Sequence, residues 1–202
     1  MAMMEPPAEM DGEFQDWYDF EHLPGVAVLP GFLTAHRLVC VEGWPRYAAI
    51  YDLETTDVLT SPAYLAIAGK NTSPWSRRIR TKVHGYYRAI GVQIYPGSAL
   101  FGEQGLSSRI IILRFNSPLE SAVPDILGGL RALFEGRPET VQVRLFRSDF
   151  GGHYYVGMVE SRRPVNVAEM DVAQFGRAAR YLDLTNVYLP YFRMGATAPG
   201  AL

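Results

Sequence analysis

Residues 31–53, GFLTAHRLVCVEGWPRYAAIYDL, contain two runs rich in β-branched and aromatic residues, and a short polar segment separates them. The composition of the runs predicts strands over Gly31–Val41 and Arg46–Leu53. Residues 42–45 contain adjacent glycine, tryptophan and proline, which is typical of a turn. The stretch therefore predicts a β-hairpin, and the rest of the chain can be interpreted around it.

A second hairpin is predicted over Pro138–Ser148 and His153–Glu160. It superposes on the first without a gap, with Arg144 following Arg37 by 107 residues (144 − 37). Shared order, spacing and turn chemistry predict that the chain contains an internal duplication.

A predicted helix precedes each hairpin. In the second half, Ser117-Pro118 predicts the cap of a helix whose apolar residues recur at helical spacing over Leu119–Phe134. In the first half, the residues from Met10 to Tyr18 show the same period, and Pro24-Gly25 predicts the end of the helix. A second, less regular helical region is predicted after each hairpin. The first is broken at Ser61-Pro62 and Ser73-Pro74, and the other covers Val167–Tyr181.

The second half also opens with a predicted strand, Arg109–Phe115, which gives the β-α-β-β-α-β order of a split βαβ unit. The corresponding segment of the first half contains Pro6 and Pro7, which suit a strand poorly. Its first strand is therefore either a short Ala2–Glu5 or truncated or missing. An outer sheet edge left unpaired in this way would favour a homodimer.

These elements predict an α+β protein made of tandem ferredoxin-like repeats. A four-stranded antiparallel sheet with both helices on one face leaves its other face bare, so two such sheets are expected to pack into a barrel-like pseudo-dimer around a small lumen. The predicted boundaries are residues 1–97 for the first repeat, 98–107 for a linker, 108–195 for the second repeat and 196–202 for a tail.

Composition narrows the classes of partner. The net charge of −2 argues against nucleic acid, because phosphate binding depends on a clustered excess of Lys and Arg. No apolar run approaches the roughly 18 residues of a membrane span. The single cysteine, Cys40, excludes an internal disulfide, and its apolar neighbours predict a buried, inert thiol. The sequence therefore predicts a cytoplasmic protein with neither a membrane nor a nucleic-acid partner.

Residues 13–24, EFQDWYDFEHLP, form the segment most suggestive of chemistry. On a helix, Tyr18 and His22 would share a face and Asp19 would lie beside His22. A histidine at a helix end next to carboxylates has a tuned proton affinity, and beside an aromatic cavity it can act as general acid or base or bind a ligand carbonyl or phenol. The alternative is that His22 caps its helix and that Trp17 and Tyr18 are core residues.

The pattern Trp17-Tyr18-x-x-x-His22-x-Pro24, followed by Pro30-Gly31-Phe32, resembles the dimeric α/β-barrel superfamily, especially its EthD-like branch. That group includes cofactor-independent monooxygenases, muconolactone isomerase-type enzymes and stress-responsive barrel proteins. The resemblance covers the first half through Leu53. It implies a ligand cavity between helix and sheet, with His22, Trp17 and Tyr18 as pocket residues. Of these, His22 is the candidate catalytic residue.

At the 107-residue spacing, Trp17 falls on Pro124 and His22 on Gly129, so any pocket is predicted to be single and to lie in the first repeat. The second repeat would then complete the barrel, as a partner subunit does in single-repeat relatives.

Strand residues complete the predicted site. Tyr47 and Tyr51 on the first hairpin are candidates for binding a substrate. His84 and Tyr86 are further candidates, because alternation along a strand places both on one face, together with Arg88. The histidines lack metal-ligand spacing, so no metal and no cofactor is predicted, although haem ligation by one histidine stays open.

Three functions fit the sequence. The first is a cofactor-independent oxygenase or isomerase acting on a small apolar or phenolic compound. The second is a non-catalytic, small-ligand-binding or stress-associated barrel with the same pocket. The third is a scaffold whose lumen is filled by its own aromatic residues, which any cavity able to hold a ligand would count against.

Overall fold

The computed structural model describes residues 1–191, and it has a mixed α+β fold; the predicted tail at 196–202 lies outside the described residues. The strands are β1 (Ala2–Glu5), β2 (Phe32–Glu42), β3 (Tyr47–Leu53), β4 (His84–Arg88), β5 (Gly91–Tyr95), β6 (Arg109–Asn116), β7 (Thr140–Ser148), β8 (Tyr154–Ser161) and β9 (Leu182–Pro190). The α-helices are α1 (Asp11–Trp17), α2 (Leu23–Ala27), α3 (Pro62–Leu65), α4 (Pro74–Arg80) and α5 (Val123–Phe134). Short 3₁₀ helices lie at Ala8–Met10, Thr56–Thr60, Gly69–Asn71, Glu120–Ala122, Val167–Glu169 and Val172–Tyr181.

The nine strands form one antiparallel sheet in the order β4-β1-β3-β2-β9-β6-β8-β7-β5. Counted within each half, the first four strands of the order and the next four follow the same 4-1-3-2 arrangement. The halves join edge to edge, where Leu38 on β2 lies opposite Pro190 and Cys40 lies opposite Tyr188 on β9. The expected pair of facing sheets is therefore a single, strongly curled sheet.

Strand β5 was not predicted, and it explains the curl. It forms one outer edge of the sheet through pairing with β7, while β4 forms the other edge. Only Ala89 and Ile90 separate these two strands along the chain. Such a short connection spans about 10 Å at most, so the two outer edges are drawn toward each other.

Strand β1 has the shorter of the two expected forms. It covers Ala2–Glu5 and lies inside the sheet, where Met3 is opposite Ala48 of β3 on one side and Tyr87 of β4 on the other. The unpaired edge that favoured a homodimer is therefore not found at β1.

The strand pairing corrects the register of the two hairpins. Arg37 lies opposite Ala49 in the first hairpin, and the matching pair in the second is Leu145 opposite Gly157, 108 residues later (145 − 37). A one-residue difference reverses every side chain between the two faces of a sheet. Arg37 and Arg144 are therefore not equivalent. Arg37 faces the helices, whereas Arg144 lies toward the lumen.

Two of the three serine–proline signals mark helix starts. The Ser61 and Ser73 side chains accept hydrogen bonds from the backbone amides of the first turns of α3 and α4. The expected cap at Ser117 is wrong, because this residue has a positive φ of 49° and α5 begins only at Val123. A 3₁₀ turn over Glu120–Ala122 separates the two.

Large side chains fill the centre of the helix–sheet interface in the second half. Phe115, Leu130 and Phe175 are fully buried there. A Cβ atom at Gly129, the position predicted to match His22, would lie 2.3 Å from Cδ1 of Phe175. The glycine therefore makes room for the phenylalanine ring. No helix in residues 1–191 is long and apolar enough to cross a membrane.

Gly128 and Gly129 provide a matched test of this packing. Gly128→Ala should raise the free energy of unfolding by up to about 1 kcal/mol, because alanine is the better helix former and nothing lies within 4 Å of the added methyl group. Gly129→Ala should lower it by about 1–3 kcal/mol, because Phe175 has no room to move. Urea denaturation measures both values, and a stabilising Gly129→Ala would contradict this description of the interface.

Candidate functional site

The sequence predicted that the helix carrying the candidate residues ends at Pro24-Gly25. The structure shows that it continues beyond this point. It continues from α1 through a π-helical turn at Tyr18–His22 into α2. In this turn the Leu23 amide donates to the Tyr18 carbonyl, five residues back. Proline has no amide hydrogen to donate, so the wider turn lets the helix pass through Pro24. Single π turns of this kind occur frequently at functional sites.

A cavity of about 480 Å³ lies next to the π turn. Its helix-side wall includes residues from the first helix, α4 and strands β3 and β4: Trp17, His22, Val26, Tyr51, Arg80, Tyr86 and Arg88. On the lumen side the second half contributes Phe146, Val156 and Met158. The cavity thus extends from the helix–sheet interface of the first half to the inside of the curled sheet.

The structure brings four of the seven predicted site residues to this cavity, namely Trp17, His22, Tyr51 and Tyr86. Tyr86 is 48% exposed and lies at the mouth. His84 shares its strand face but is exposed and does not line the cavity.

Tyr18 and Tyr47 do not line the cavity either. Tyr18 is buried, with its ring 5.2 Å from that of His22, so it supports the imidazole from behind. Tyr47 packs against Phe14 at 5.1 Å, and its hydroxyl donates to Asp11 at 2.9 Å. Both side chains belong to the hydrophobic core next to the first helix.

Aromatic contacts hold the His22 ring. It stacks on Trp17 with ring centroids 4.6 Å apart and planes at 18°. Within residues 1–191 no side chain or carbonyl forms a hydrogen bond with its ring nitrogens, so it does not cap the helix. The imidazole is therefore held in orientation while its polar atoms stay available to a ligand.

A hydrogen-bond network fixes Trp17 in turn. Its indole Nε1 donates to Oγ of Ser76 at 2.8 Å, and the Ser76 hydroxyl donates to Oε1 of Glu21 at 2.9 Å. Ser73, the cap of α4, donates to the same Glu21 oxygen at 2.5 Å. The π turn and the start of α4 are thus bound together around the indole.

A buried arginine lies behind this cluster. The Arg37 guanidinium donates to Gln15 and Asp19. It also lies between two aromatic rings, 4.5 Å from the Tyr18 centroid and 4.3 Å from that of Tyr191. This side chain joins β2 to the first helix and contributes positive charge near His22.

The surroundings of His22 keep its imidazole neutral. The pKa of His22 is lowered from 6.5 to about 4, mainly by burial and also by the guanidinium groups of Arg80, Arg37 and Arg88, against the opposing effect of Glu21. At neutral pH the ring therefore has a free lone pair and can accept a proton.

Tyr51 lines the same cavity. Its hydroxyl oxygen is buried beside that of Tyr18, without a hydrogen bond of standard geometry in the described part of the chain. Burial raises the pKa of Tyr51 well above its ordinary value, so the group stays protonated.

Part of this arrangement was not predicted from the sequence. Arg80 lines the cavity, and so does Arg88, which the sequence placed on the strand face of His84 and Tyr86 without a role. The break at Ser73-Pro74 was predicted, but the connection of Ser73 to Glu21 depends on tertiary contacts. Cys40 is half-buried, and burial raises its pKa to about 11, as expected of an inert thiol. Among the described residues no group of three or more His, Cys, Asp and Glu side chains is placed to hold a metal ion.

Comparisons with known proteins are sparse. No family model matches the chain, and no curated protein matches its sequence. Among solved structures, the crystal structure of an anthrone oxidase-like protein is similar, with a TM-score of 0.67 over 100% of this chain and 94% of that chain, at 10% sequence identity. At this identity the similarity shows a shared fold, an α+β architecture around a curled antiparallel sheet.

Proposed function

We propose that the protein is a cofactor-independent oxygenase or isomerase that acts on a small apolar or phenolic compound, with His22 as its general base. The observation that supports this most directly is the imidazole itself. It is neutral, stacked on Trp17, without a hydrogen-bond partner among the described residues, and on the wall of a cavity of about 480 Å³. This volume lies within the usual range for small-molecule sites.

The proposed reaction begins with proton transfer from an acidic C–H or O–H bond of the substrate to a His22 ring nitrogen. The electron pair stays on the substrate as an enolate or phenolate. In the oxygenase, dioxygen accepts these electrons and forms the new C–O bond, so a CH₂ group and one O₂ become a ketone and one water. In the isomerase, His22 returns the proton to another carbon.

The cavity walls support an apolar substrate. Trp17, Tyr51 and Phe146 present aromatic surface to the space, and Val156 and Met158 add aliphatic surface. The similarity to the anthrone oxidase-like structure makes anthrone a suitable probe. It is an aromatic ketone whose CH₂ protons are acidic through conjugation with the carbonyl.

We also infer that the chain is a tandem-repeat member of the dimeric α/β-barrel superfamily, of the EthD-like type. The equal strand order in the two halves and the 108-residue spacing of their hairpins support this duplication. The domain boundaries, a homodimer and a cytoplasmic location stay predictions. Any dimer would need a surface other than an edge at β1.

The second candidate function is non-catalytic binding of the same ligands. A pKa of about 4 for His22 favours it, because such an imidazole is a weak base. It predicts saturable binding of an apolar ligand that survives His22→Ala. The scaffold hypothesis is disfavoured, because the cavity leaves room for a ligand.

Replacement of His22 tests catalysis directly. With anthrone as the substrate, His22→Gln should lower the rate of oxygen uptake by at least about 100-fold, the usual contribution of a positioned base, while the protein stays folded by circular dichroism. His153→Gln is the matched control, since this histidine is far along the chain and interacts with Asp149. Unchanged uptake by His22→Gln, with anthrone still bound, would favour the binding function.

The lowered pKa of His22 also predicts acid sensitivity. In the unfolded chain His22 takes up a proton below about pH 6.5, whereas in the folded protein it stays neutral down to about pH 4. The free energy of unfolding should therefore fall as the pH drops through this window, and His22→Gln should show a smaller fall. Urea titrations at several pH values measure the difference, and parallel curves for the two proteins would disprove the lowered pKa.

Ser76 should act as a positioning residue. Ser76→Ala removes the partner of the Trp17 indole, so the imidazole loses its fixed orientation and kcat should fall about 10-fold with little change in KM. Ser161→Ala is the control, because it also removes a buried, hydrogen-bonded serine hydroxyl, but one that lies outside the cavity wall. Equal kcat values for the two variants would show that the indole contact is only structural.

A further inference from the structure

Two arginines face the cavity without an acidic partner. Arg80, the last residue of α4, and Arg88, the last residue of β4, line the space around His22. Within residues 1–191, neither guanidinium is within 4.0 Å of a carboxylate oxygen. Arg88 has one polar contact of note, in which Nη2 donates to the Tyr64 hydroxyl at 3.0 Å. The cavity thus contains two positive charges that the described part of the protein does not neutralise.

The carboxylates that line the cavity are either paired with other groups of the protein or exposed to solvent. Asp52 accepts from Arg144 at 2.8 Å and from the Phe101 amide at 2.6 Å, so its charge is compensated on the lumen side. Glu54 lines the cavity but is exposed to solvent. The helix side, where His22 lies, is therefore a positive region with apolar walls.

Neither arginine is fully buried, since Arg80 is exposed to solvent and Arg88 is half-buried. Both guanidinium groups can therefore be reached by an anion that enters the cavity. Such an anion would form charge-assisted hydrogen bonds with them, and guanidinium groups bind planar carboxylates in a bidentate geometry. The aromatic walls suit the remainder of the same molecule.

We propose that the ligand of this cavity is an aromatic carboxylate, held through its anionic group by Arg80 and Arg88 and through its ring by Trp17 and Tyr51. This inference rests on the proposed function and makes it more specific, because it names the charge and the class of the substrate. The neutral imidazole of His22 then lies beside the aromatic body and the guanidinium groups beside the carboxylate.

A matched pair of probes tests the anion. Isothermal titration calorimetry should show that 2-naphthoate binds at least about 10-fold more tightly than 2-naphthamide, which has the same ring but no charge. Arg80→Gln should weaken the binding of 2-naphthoate by a similar factor and leave 2-naphthamide unchanged. Arg78→Gln is the control, since Arg78 belongs to the same helix but is paired with Glu13 outside the cavity.

An NMR titration of the His22 ring gives a second readout. Bound 2-naphthoate should raise the pKa of His22, because a nearby anion stabilises the imidazolium, whereas 2-naphthamide should not. Equal affinities for the two probes would overturn the anion and leave the proposed function standing, since a neutral ligand would then fill the cavity. Equal losses from Arg80→Gln and Arg78→Gln would also overturn it, and failure of both probes to bind would count against both proposals.

Discussion

The missing amide hydrogen of Pro24 is the constraint on which the site depends. In a regular α-helix, Trp17 and His22 are five residues apart and point about 140° away from each other. The π turn at Tyr18–His22 reduces this angle, since its hydrogen bond joins residues five apart. The stacking of the imidazole on the indole follows from that local change. The sequence predicts that the helix ends at Pro24, but in the structure this proline sets the local geometry that places His22 on Trp17.

The two halves of the sheet share a strand order but use their helix–sheet interfaces differently. In the second half, Gly129 lets the Phe175 ring occupy the centre of the interface, and the space is filled. In the first half, Trp17 and His22 border an open cavity at the corresponding place. One interface is thus filled by side chains, while the other borders an open cavity.

The sequence was informative where local signals dominate. Both hairpins and the breaks at Ser61-Pro62 and Ser73-Pro74 follow from turn residues, β-branched runs and short-range hydrogen bonds. It was wrong about the spacing that equated Arg37 with Arg144, because a one-residue slip changes little in composition but reverses the faces. It missed β5, a five-residue strand whose partner β7 is distant in the chain.

The same holds for the candidate site: contacts within one helix could be predicted from the sequence, and contacts between elements could not. The helical spacing of Tyr18 and His22 and the resemblance of the pattern from Trp17 to Pro24 were enough to select Trp17 and His22, since the motif lies within one helix. The roles of Ser76 and Arg80 depend on where α4 packs, and no local pattern fixes that position. Tyr18 was assigned to the pocket by its place on the helix, but the π turn rotates the faces and leaves it behind the imidazole.

The positive field of the cavity has two opposing effects on a proton transfer to His22. It disfavours the imidazolium, which weakens the base, and it favours the substrate anion, which strengthens the acid. Because one set of guanidinium groups produces both effects, they largely cancel in the transfer from a neutral group on the substrate to the ring. They do not cancel in binding, where only the anionic ligand is attracted. In the proposed function, the arginines therefore have a larger effect on which ligand binds than on how readily its proton is removed.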